Sequence, residues 1–281
     1  MESRYYVKEE GKIRCELCPH RCLIAEGATG RCHVRKNKAG ILVAENYGKI
    51  TALQVDPIEK KPLAFFHPGE MIFSIGSFGC NLSCPFCQNY TIAHGRPATT
   101  EYTPQEIVSA VKRRDLTHLA FTYNEPIISF EFVVDTAKEA KKAGLVTVMV
   151  TNGFIEQEPL QELLPWIDAW NIDLKGFREE TYKKLGGQLA PVLETIKRVS
   201  KEAHLEITCL LVPGINDDRQ EMQDLFQWIG ELDPEIPIHL TRYFPAWKYK
   251  EPSTDLEWMK EMKEEASKFC KRVKLGNVWE V

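Results

Sequence analysis

The sequence predicts an α/β fold on a parallel sheet, doubly wound or closed into a barrel, on three observations. From Met71 onward, strand-like runs alternate with amphipathic helical stretches in about six successive units. The polar residues that interrupt this rhythm fall at the carboxyl ends of the strand-like runs, where parallel α/β folds bind ligands. Residues 1 to 40 differ: they are rich in Cys, Gly, Arg and Lys with no sustained period. They read as a small loop-rich module whose order depends on a metal.

The elements follow in chain order. AGILVAENYGKITALQV (39–55) gives two β-prone runs about Asn46, Tyr47 and Gly48, which predicts a hairpin. DPIEKKPLAFFHPGE (56–70) reads as a loop carrying three prolines. MIFSIGS, HLAFTY, LVTVMVT, AWNIDLK, LEITCLLV and IPIHLTRYF are β-branched or aromatic runs of strand length. Between them lie the helical stretches PQEIVSAVKRR, ISFEFVVDTAKEAKKAG, PLQELLPWI, TYKKL, PVLETIKRVSKEA and DRQEMQDLFQWIGEL, with DLEWMKEMKEEASKFCKRV (255–273) last. VPGIND (212–217) reads as a strand-to-helix turn, with Gly214 for positive φ and Asn216 or Asp217 as N-cap. No repeat of about 20–50 residues and no low-complexity tract stands out.

At 281 residues the chain suits one large domain, or a domain with an appendage, and buries a sizeable core without staples. Hydrophobic residues at 43% and charged residues at 27% are ordinary for a globular protein. The net charge of -4 argues against a general nucleic-acid binder. The opening MESRYYVKEEGKIR is polar, and no apolar run reaches the roughly 18 residues of a membrane helix. A soluble, cytoplasmic protein is expected. Of nine cysteines, Cys209 sits in an apolar run and Cys270 near the end of a helical stretch, and both read as packing residues. The others fall in two tight clusters, which in a cytosolic protein point to metal rather than disulfides.

The second cluster, SFGCNLSCPFCQNY (77–90), places Cys80, Cys84 and Cys87 at C-x3-C-x2-C spacing. Structural zinc and ordinary iron–sulfur sites take four protein ligands. Three thiolates leave one iron of a cubane [4Fe–4S] cluster open to a small molecule. A zinc site would need a donor from elsewhere, and His94 is the nearest imidazole. With Phe86 before the last cysteine, the loop resembles the signature of the radical S-adenosylmethionine (SAM) enzymes. That resemblance implies a [4Fe–4S] cluster on Cys80, Cys84 and Cys87, SAM on the open iron, and a partial (β/α)6 TIM-type barrel. The implied organisation is a Cys-rich module over 1–40, a β-hairpin and connecting loop over 41–70, and the barrel over 71–281.

Other strand ends carry the resemblance further. YNEP (123–126) stands where the superfamily has its Gly-Gly-Glu segment, so Asn124 is implied at the cofactor and Glu125 at the SAM amino group, where an ammonium-like group needs a charged acceptor. TNG (151–153) and DLK (173–175) are similar to segments of the glycyl-radical-enzyme activases. They imply Thr151 and Asn152 at the cofactor, Asp173 near the ribose hydroxyls and Lys175 on the SAM carboxylate. Taken singly, Asp173 and Lys175 also read as a surface ion pair worth little. Phe86 is implied to pack on the adenine.

CELCPHRCLIAEGATGRCHVR (15–35), DPIEKKPLAFFHPG (56–69), RYFPAWKY (242–249) and LGNVWEV (275–281) resemble the pyruvate formate-lyase activating enzyme-like proteins called AmmeMemoRadiSam system radical SAM enzymes. This likeness spans nearly the whole chain. It implies reductive cleavage of SAM to a 5′-deoxyadenosyl radical that abstracts hydrogen, in the activases from a backbone glycine of a partner enzyme. A protein substrate and a flavodoxin- or ferredoxin-type electron donor go with it. The alternative is a small-molecule or nucleotide substrate, and outside enzymology a zinc-bound interaction scaffold. Two departures stand out. Val150 occupies the position of an Asp that serves a monovalent cation in one activase. Phe244 replaces a common His, a loss that Arg242 or His239 makes good.

The first cluster, Cys15, Cys18, Cys22 and Cys32, follows C-x2-C-x3-C-x9-C. Four thiolates complete a coordination sphere, so a closed site is expected, holding zinc or a second Fe–S cluster. The spacing departs from the ferredoxin run and favours zinc. His20 and His33 lie in the same segment and could replace a cysteine.

Overall fold

The computed structural model describes residues 1–278; the last three residues of the LGNVWEV likeness lie outside them. In chain order the elements are β1 (Tyr6–Glu9), β2 (Lys12–Cys15), β3 (Leu23–Ile24), β4 (Arg35–Lys38), β5 (Ile41–Ala44), β6 (Lys49–Ile50), β7 (Ala52–Pro57) and β8 (Met71–Gly76). Then follow α1 (Tyr90–Ala93), β9 (Thr100–Glu101), α2 (Pro104–Lys112), β10 (His118–Phe121), α3 (Phe130–Lys142), β11 (Val146–Thr151), α4 (Gln157–Leu163) and β12 (Ala169–Asp173). The chain ends through α5 (Glu179–Lys184), α6 (Leu189–Glu202), β13 (His204–Leu211), α7 (Arg219–Leu232), β14 (Ile238–Arg242), α8 (Leu256–Ala266) and β15 (Val273–Gly276).

The main sheet runs β15-β14-β13-β12-β11-β10-β8-β7. From β8 to β15 every pairing is parallel, and β7 lies antiparallel on the edge of β8. Sequential parallel order with a helical crossover between neighbours is the architecture of a partial barrel. The strands are buried on both faces, and alternate residues point opposite ways. Phe73, Leu119, Met149, Trp170, Ile207 and Leu240 face the helices and share a core with Ile107, Val133, Ile196, Leu225 and Met262.

The opposite face packs on an internal plug. Ile72, Ala120, Val148 and Ala169 form a separate apolar cluster with Ile58 and Leu63, and Phe66 packs against it. These last three come from the 58–70 loop, which leaves β7 and enters β8 beside the Pro57–Met71 pair, at the amino ends of the strands. Polar contacts seat it: the Asn171 amide donates to the Pro62 carbonyl at 2.8 Å, and the Glu206 carboxylate accepts the backbone N–H groups of Ala64 and Phe65. The plug closes one end of the barrel and leaves the carboxyl end for chemistry.

The structure corrects three expectations. No hairpin forms about Asn46, Tyr47 and Gly48: β5 pairs with β4, β6 with β9 and β7 with β8. The hairpin spans Arg35–Ala44 and turns at Ala39 and Gly40, both at positive φ, across the expected boundary at residue 40. It was hidden because the inward residues of β4, Arg35 and Asn37, are polar yet buried. Residues 1–40 also carry order that no sequence period announced: β1, β2 and β3 form an antiparallel sheet, while most of the segment stays outside strands. Finally, α8 stops at Ala266 and the chain continues as β15 instead of extending a helix to Val273.

Candidate metal and cofactor site

The cysteine loop leaves β8 at the carboxyl end of the barrel. It is held from the next strand by YNEP. The Asn124 side-chain oxygen accepts the Ser77 N–H at 2.8 Å, and its amide donates to the carbonyls of Gly79 and Glu125. Two of these bonds fix the loop that presents Cys80, and the third fixes the turn that presents Glu125. Asn81 ties the loop to a third strand end, donating to the Phe154 carbonyl and accepting from the Asn152 amide at 2.9 Å. Asn152 also reaches within 3.9 Å of the Cys80 sulfur.

A cavity of about 220 Å3 opens here. Its wall includes Cys80, Cys84, Phe86, Cys87, Asn124, Glu125, Thr151, Asn152, Asp173 and Lys175. Ten of the eleven residues expected at the cluster and SAM thus share one cavity. Burial pushes all three thiols up, Cys84 to about 12 and Cys80 well above its ordinary value. Among the described residues, no three His, Cys, Asp or Glu side chains are drawn around one point.

Glu125 is buried, and its carboxylate accepts from the Thr151 hydroxyl (2.6 Å), the Asn152 N–H (2.8 Å) and the Ile127 N–H (3.0 Å). Burial raises its pKa to about 7 against these three donors. A carboxylate has about four acceptor positions, so one is left for a ligand. Across the cavity, one Asp173 oxygen accepts from the Lys175 ammonium at 2.6 Å, while the other is buried with no partner. Burial draws the Lys175 ammonium down, but Asp173 and Cys84 outweigh it and hold the charge. Lys175 is positioned through its backbone: its N–H donates to the Tyr182 hydroxyl and its carbonyl accepts from Asn216.

Arg242 is not brought to this wall. Its Nε donates to the Thr254 carbonyl at 2.9 Å and its guanidinium lies 5.2 Å over the Phe244 ring. His239 is spent inside the barrel, 2.6 Å from Glu206. In the VPGIND turn Gly214 has φ +72°, but the N-cap of α7 is Asp218, not Asn216 or Asp217. Asn216 instead spans the ends of β12 and β13 through the Lys175 and Leu210 carbonyls. Phe86 is buried with its edge toward Tyr243 and Tyr249. Val150 lines the cavity, as do Thr122, Tyr123, Gln88 and Asn89, which sequence reasoning did not single out. Tyr123 carried a usable signal: it stands between the strand and the expected ligand.

The donor set fits the cofactors it implies. Three thiols supply a cluster with an open iron, one acceptor position on Glu125 suits an ammonium, and the unpartnered Asp173 oxygen suits a hydroxyl. A second cavity, lined by Cys15, Cys18, Cys22 and Cys32, lies behind the loop and shares Asn81 with it. Cys209 and Cys270 are buried packing residues. No helix among the described residues is long and apolar enough to cross a membrane.

Comparison with known proteins gives the family. The Radical SAM superfamily model matches residues 74–228. An uncharacterised protein of Methanocaldococcus jannaschii is 40% identical over 99% of this chain and 85% of its own length. Pyruvate formate-lyase 1-activating enzyme of Escherichia coli is 29% identical over 61% of this chain and 74% of its own. A radical SAM methyltransferase from Sphaerobacter thermophilus, 16% identical, superposes with a TM-score of 0.57 over 75% of this chain and 67% of that one, a likeness of fold alone. The family match spans more than half the chain and begins within β8, the strand that presents the three cysteines; this chain belongs to the radical SAM superfamily.

Proposed function

We propose that this enzyme holds a [4Fe–4S] cluster on Cys80, Cys84 and Cys87 and binds SAM between Glu125 and the Asp173–Lys175 pair. The single observation that carries the reading is the meeting of three thiols, a carboxylate with one acceptor position left and an unpartnered Asp173 oxygen in one cavity. When bound, the cluster and SAM supply one-electron cleavage of a carbon–sulfur bond and the hydrogen abstraction that follows. The protein's own part is to hold and orient. Glu125 fixes an ammonium, Lys175 takes a carboxylate with its charge held by Asp173, and the free Asp173 oxygen accepts a hydroxyl. Phe86 gives an apolar wall beside the thiols.

The substrate we favour is a glycine of a partner enzyme, because the similar proteins include one named as a pyruvate formate-lyase activating enzyme. An electron donor of flavodoxin or ferredoxin type completes the system. One observation favours a small anionic substrate as a second reading. A cleft of about 440 Å3 opens next to the cofactor cavity and shares Ala93 with it. His33, Lys49, His94 and Arg96 line it, and the carboxylate there, Glu45, already pairs with Lys38.

Anaerobic reconstitution tests the proposal. The chain is expected to bind about four irons and, with dithionite, to cleave SAM to methionine and 5′-deoxyadenosine. Cys84→Ala is expected to lose iron and cleavage together, and retained cleavage would refute the ligand assignment. Glu125→Gln is expected to weaken SAM binding while iron stays. Transfer of deuterium from a glycine-labelled partner enzyme to 5′-deoxyadenosine supports the activase reading; transfer only from a labelled small molecule supports the second.

A further inference from the structure

Cys15, Cys18, Cys22 and Cys32 come from β2, the loop after it and the turn before β4, and they line one cavity with His20 and Arg35. That cavity measures about 20 Å3. One water-sized sphere takes up about 10–15 Å3, so there is room for a single ion. Its free volume suits one ion better than the eight core atoms of a cubane. The cavity at Cys80, Cys84 and Cys87 in the same molecule is about 220 Å3, roughly ten times larger on the same measure.

A second observation points to a ligand of negative charge. Arg35 is 1% exposed and belongs to the wall. One terminal nitrogen donates to both oxygens of Glu131, at 2.7 and 2.9 Å, and the other to the Arg4 carbonyl. Its Nε is buried with no partner. An unpaired donor on a buried cation is costly unless an acceptor arrives, and four thiolates around one divalent ion carry surplus negative charge. Thiolate sulfur is such an acceptor.

We propose that the amino-terminal module holds one tetrahedral Zn2+ on Cys15, Cys18, Cys22 and Cys32, with Arg35 Nε donating to a ligating sulfur. An all-thiolate tetrahedral set selects zinc among the common divalent ions, and a closed set gives it a structural task. Loading releases the thiol protons to solvent and changes no oxidation state. Arg35 is a positioning residue: it orients and neutralises the thiolates and does not bind the metal. The site also backs the cluster loop. The His20 ring nitrogen lies 2.7 Å from the Asn81 carbonyl, and the Cys32 carbonyl lies against Gly79, one residue before Cys80.

The test uses the full chain carrying Cys84→Ala, which removes the first cluster, so the outcome does not depend on the radical chemistry. Metal analysis after purification from cells supplied with zinc and iron is expected to give about one zinc per chain and colourless protein. Brown protein with about four irons, or a metal-free chain with four freely reactive thiols, would overturn the proposal. Adding Cys18→Ser is expected to lower zinc at least tenfold. Should that variant fail to fold, cobalt exchange into the Cys84→Ala chain decides the matter. It is expected to give the visible bands of a tetrahedral all-sulfur site, and octahedral bands would refute it. Arg35→Met in that background is expected to shift the thiolate-to-cobalt charge-transfer band, a change that lost packing alone does not produce; an unmoved band removes Arg35 from the sulfur.

Discussion

The Lys61 ammonium lies 3.5 Å from the Tyr123 hydroxyl and 4.8 Å from the centroid of its ring, with Asp56 bonded to both. This joins the DPIEKKPL segment, which enters the barrel from below, to the YNEP turn above it. Tyr123 sits at φ +72°, and the two residues after it hold the cysteine loop and offer the carboxylate. Lys61 is 4% exposed, and burial pulls its pKa down despite Asp56. Replacing Lys61 with Met removes the buried one of the two ammonium partners of half-buried Asp56, leaving exposed Lys60, and takes the cation from the Tyr123 ring. A loss of about 1–3 kcal/mol in denaturant unfolding is expected. SAM is expected to bind about fivefold to tenfold more weakly, as about 1 kcal/mol of preorganisation is lost. Lost stability with unchanged affinity would restrict the segment to the fold.

Asp173 divides its labour between two oxygens, one on Lys175 and one unpartnered in the wall. Asp173→Asn keeps the shape but turns one acceptor into a donor, facing either the ammonium or the ligand. SAM affinity is expected to fall by about tenfold or more, about 1.4 kcal/mol, with iron content unchanged. Equilibrium binding to the reconstituted protein checks both. Unaltered affinity would take Asp173 out of the cofactor wall.

The barrel interior carries its own acid sensitivity. Burial pushes the Glu206 carboxyl up, but hydrogen bonds from His204 and His239, then Phe65 N–H, outweigh it and hold the pKa at about 2. A carboxylate depressed from about 4.5 stabilises the fold fully above that pH and loses its contribution as pH falls toward 2. The shift amounts to about 3 kcal/mol. Glu206→Gln is expected to be less stable by about that amount at pH 7. The gap between wild type and variant should close between pH 5 and 2, since the other carboxylates titrate alike in both. A gap that stays constant with pH would show that packing, not charge, seats the plug.

Much of the barrel was legible, because strands β8 and β10 to β14 are apolar runs punctuated by helices with a clear 3.6-residue period. The gathering of ten expected residues in one cavity was legible too, since they sit at or just past strand ends and local sequence places them there. What failed was long-range. The role of Ile58 and Leu63 rests on contacts with Ala120, Val148 and Ala169, which no local pattern announces in a proline-rich loop. Strand β4 was obscured because Arg35 is buried by a partner 96 residues away, Glu131. Strand β15 was hidden in a Lys- and Arg-rich stretch that continued a helix. Arg242 has the right chemistry for a carboxylate, and only the distant Thr254 carbonyl reveals that it is engaged elsewhere.

Gly79 is where the amino-terminal module touches the loop that carries Cys80. Its φ is +92°, and an added Cβ would lie 2.4 Å from Val34 Cγ2, 2.6 Å from Ile128 Cδ1 and 2.8 Å from the Cys32 carbonyl oxygen. The carbonyl is backbone and the two side chains are buried in one cluster, so none can swing aside. Gly79→Ala must therefore separate the amino-terminal module from the loop carrying Cys80. Overpacking of this kind costs about 1–3 kcal/mol, in addition to about 1 kcal/mol for the left-handed backbone. Gly144→Ala is the control, with φ +74° and nothing within 4 Å of the new Cβ, so only the backbone cost applies. Reconstituted iron is expected to fall well below that of Gly144→Ala for Gly79→Ala, even at a temperature where both are folded by circular dichroism. Equal iron in the two variants would mean that the module does not set the position of the cluster loop.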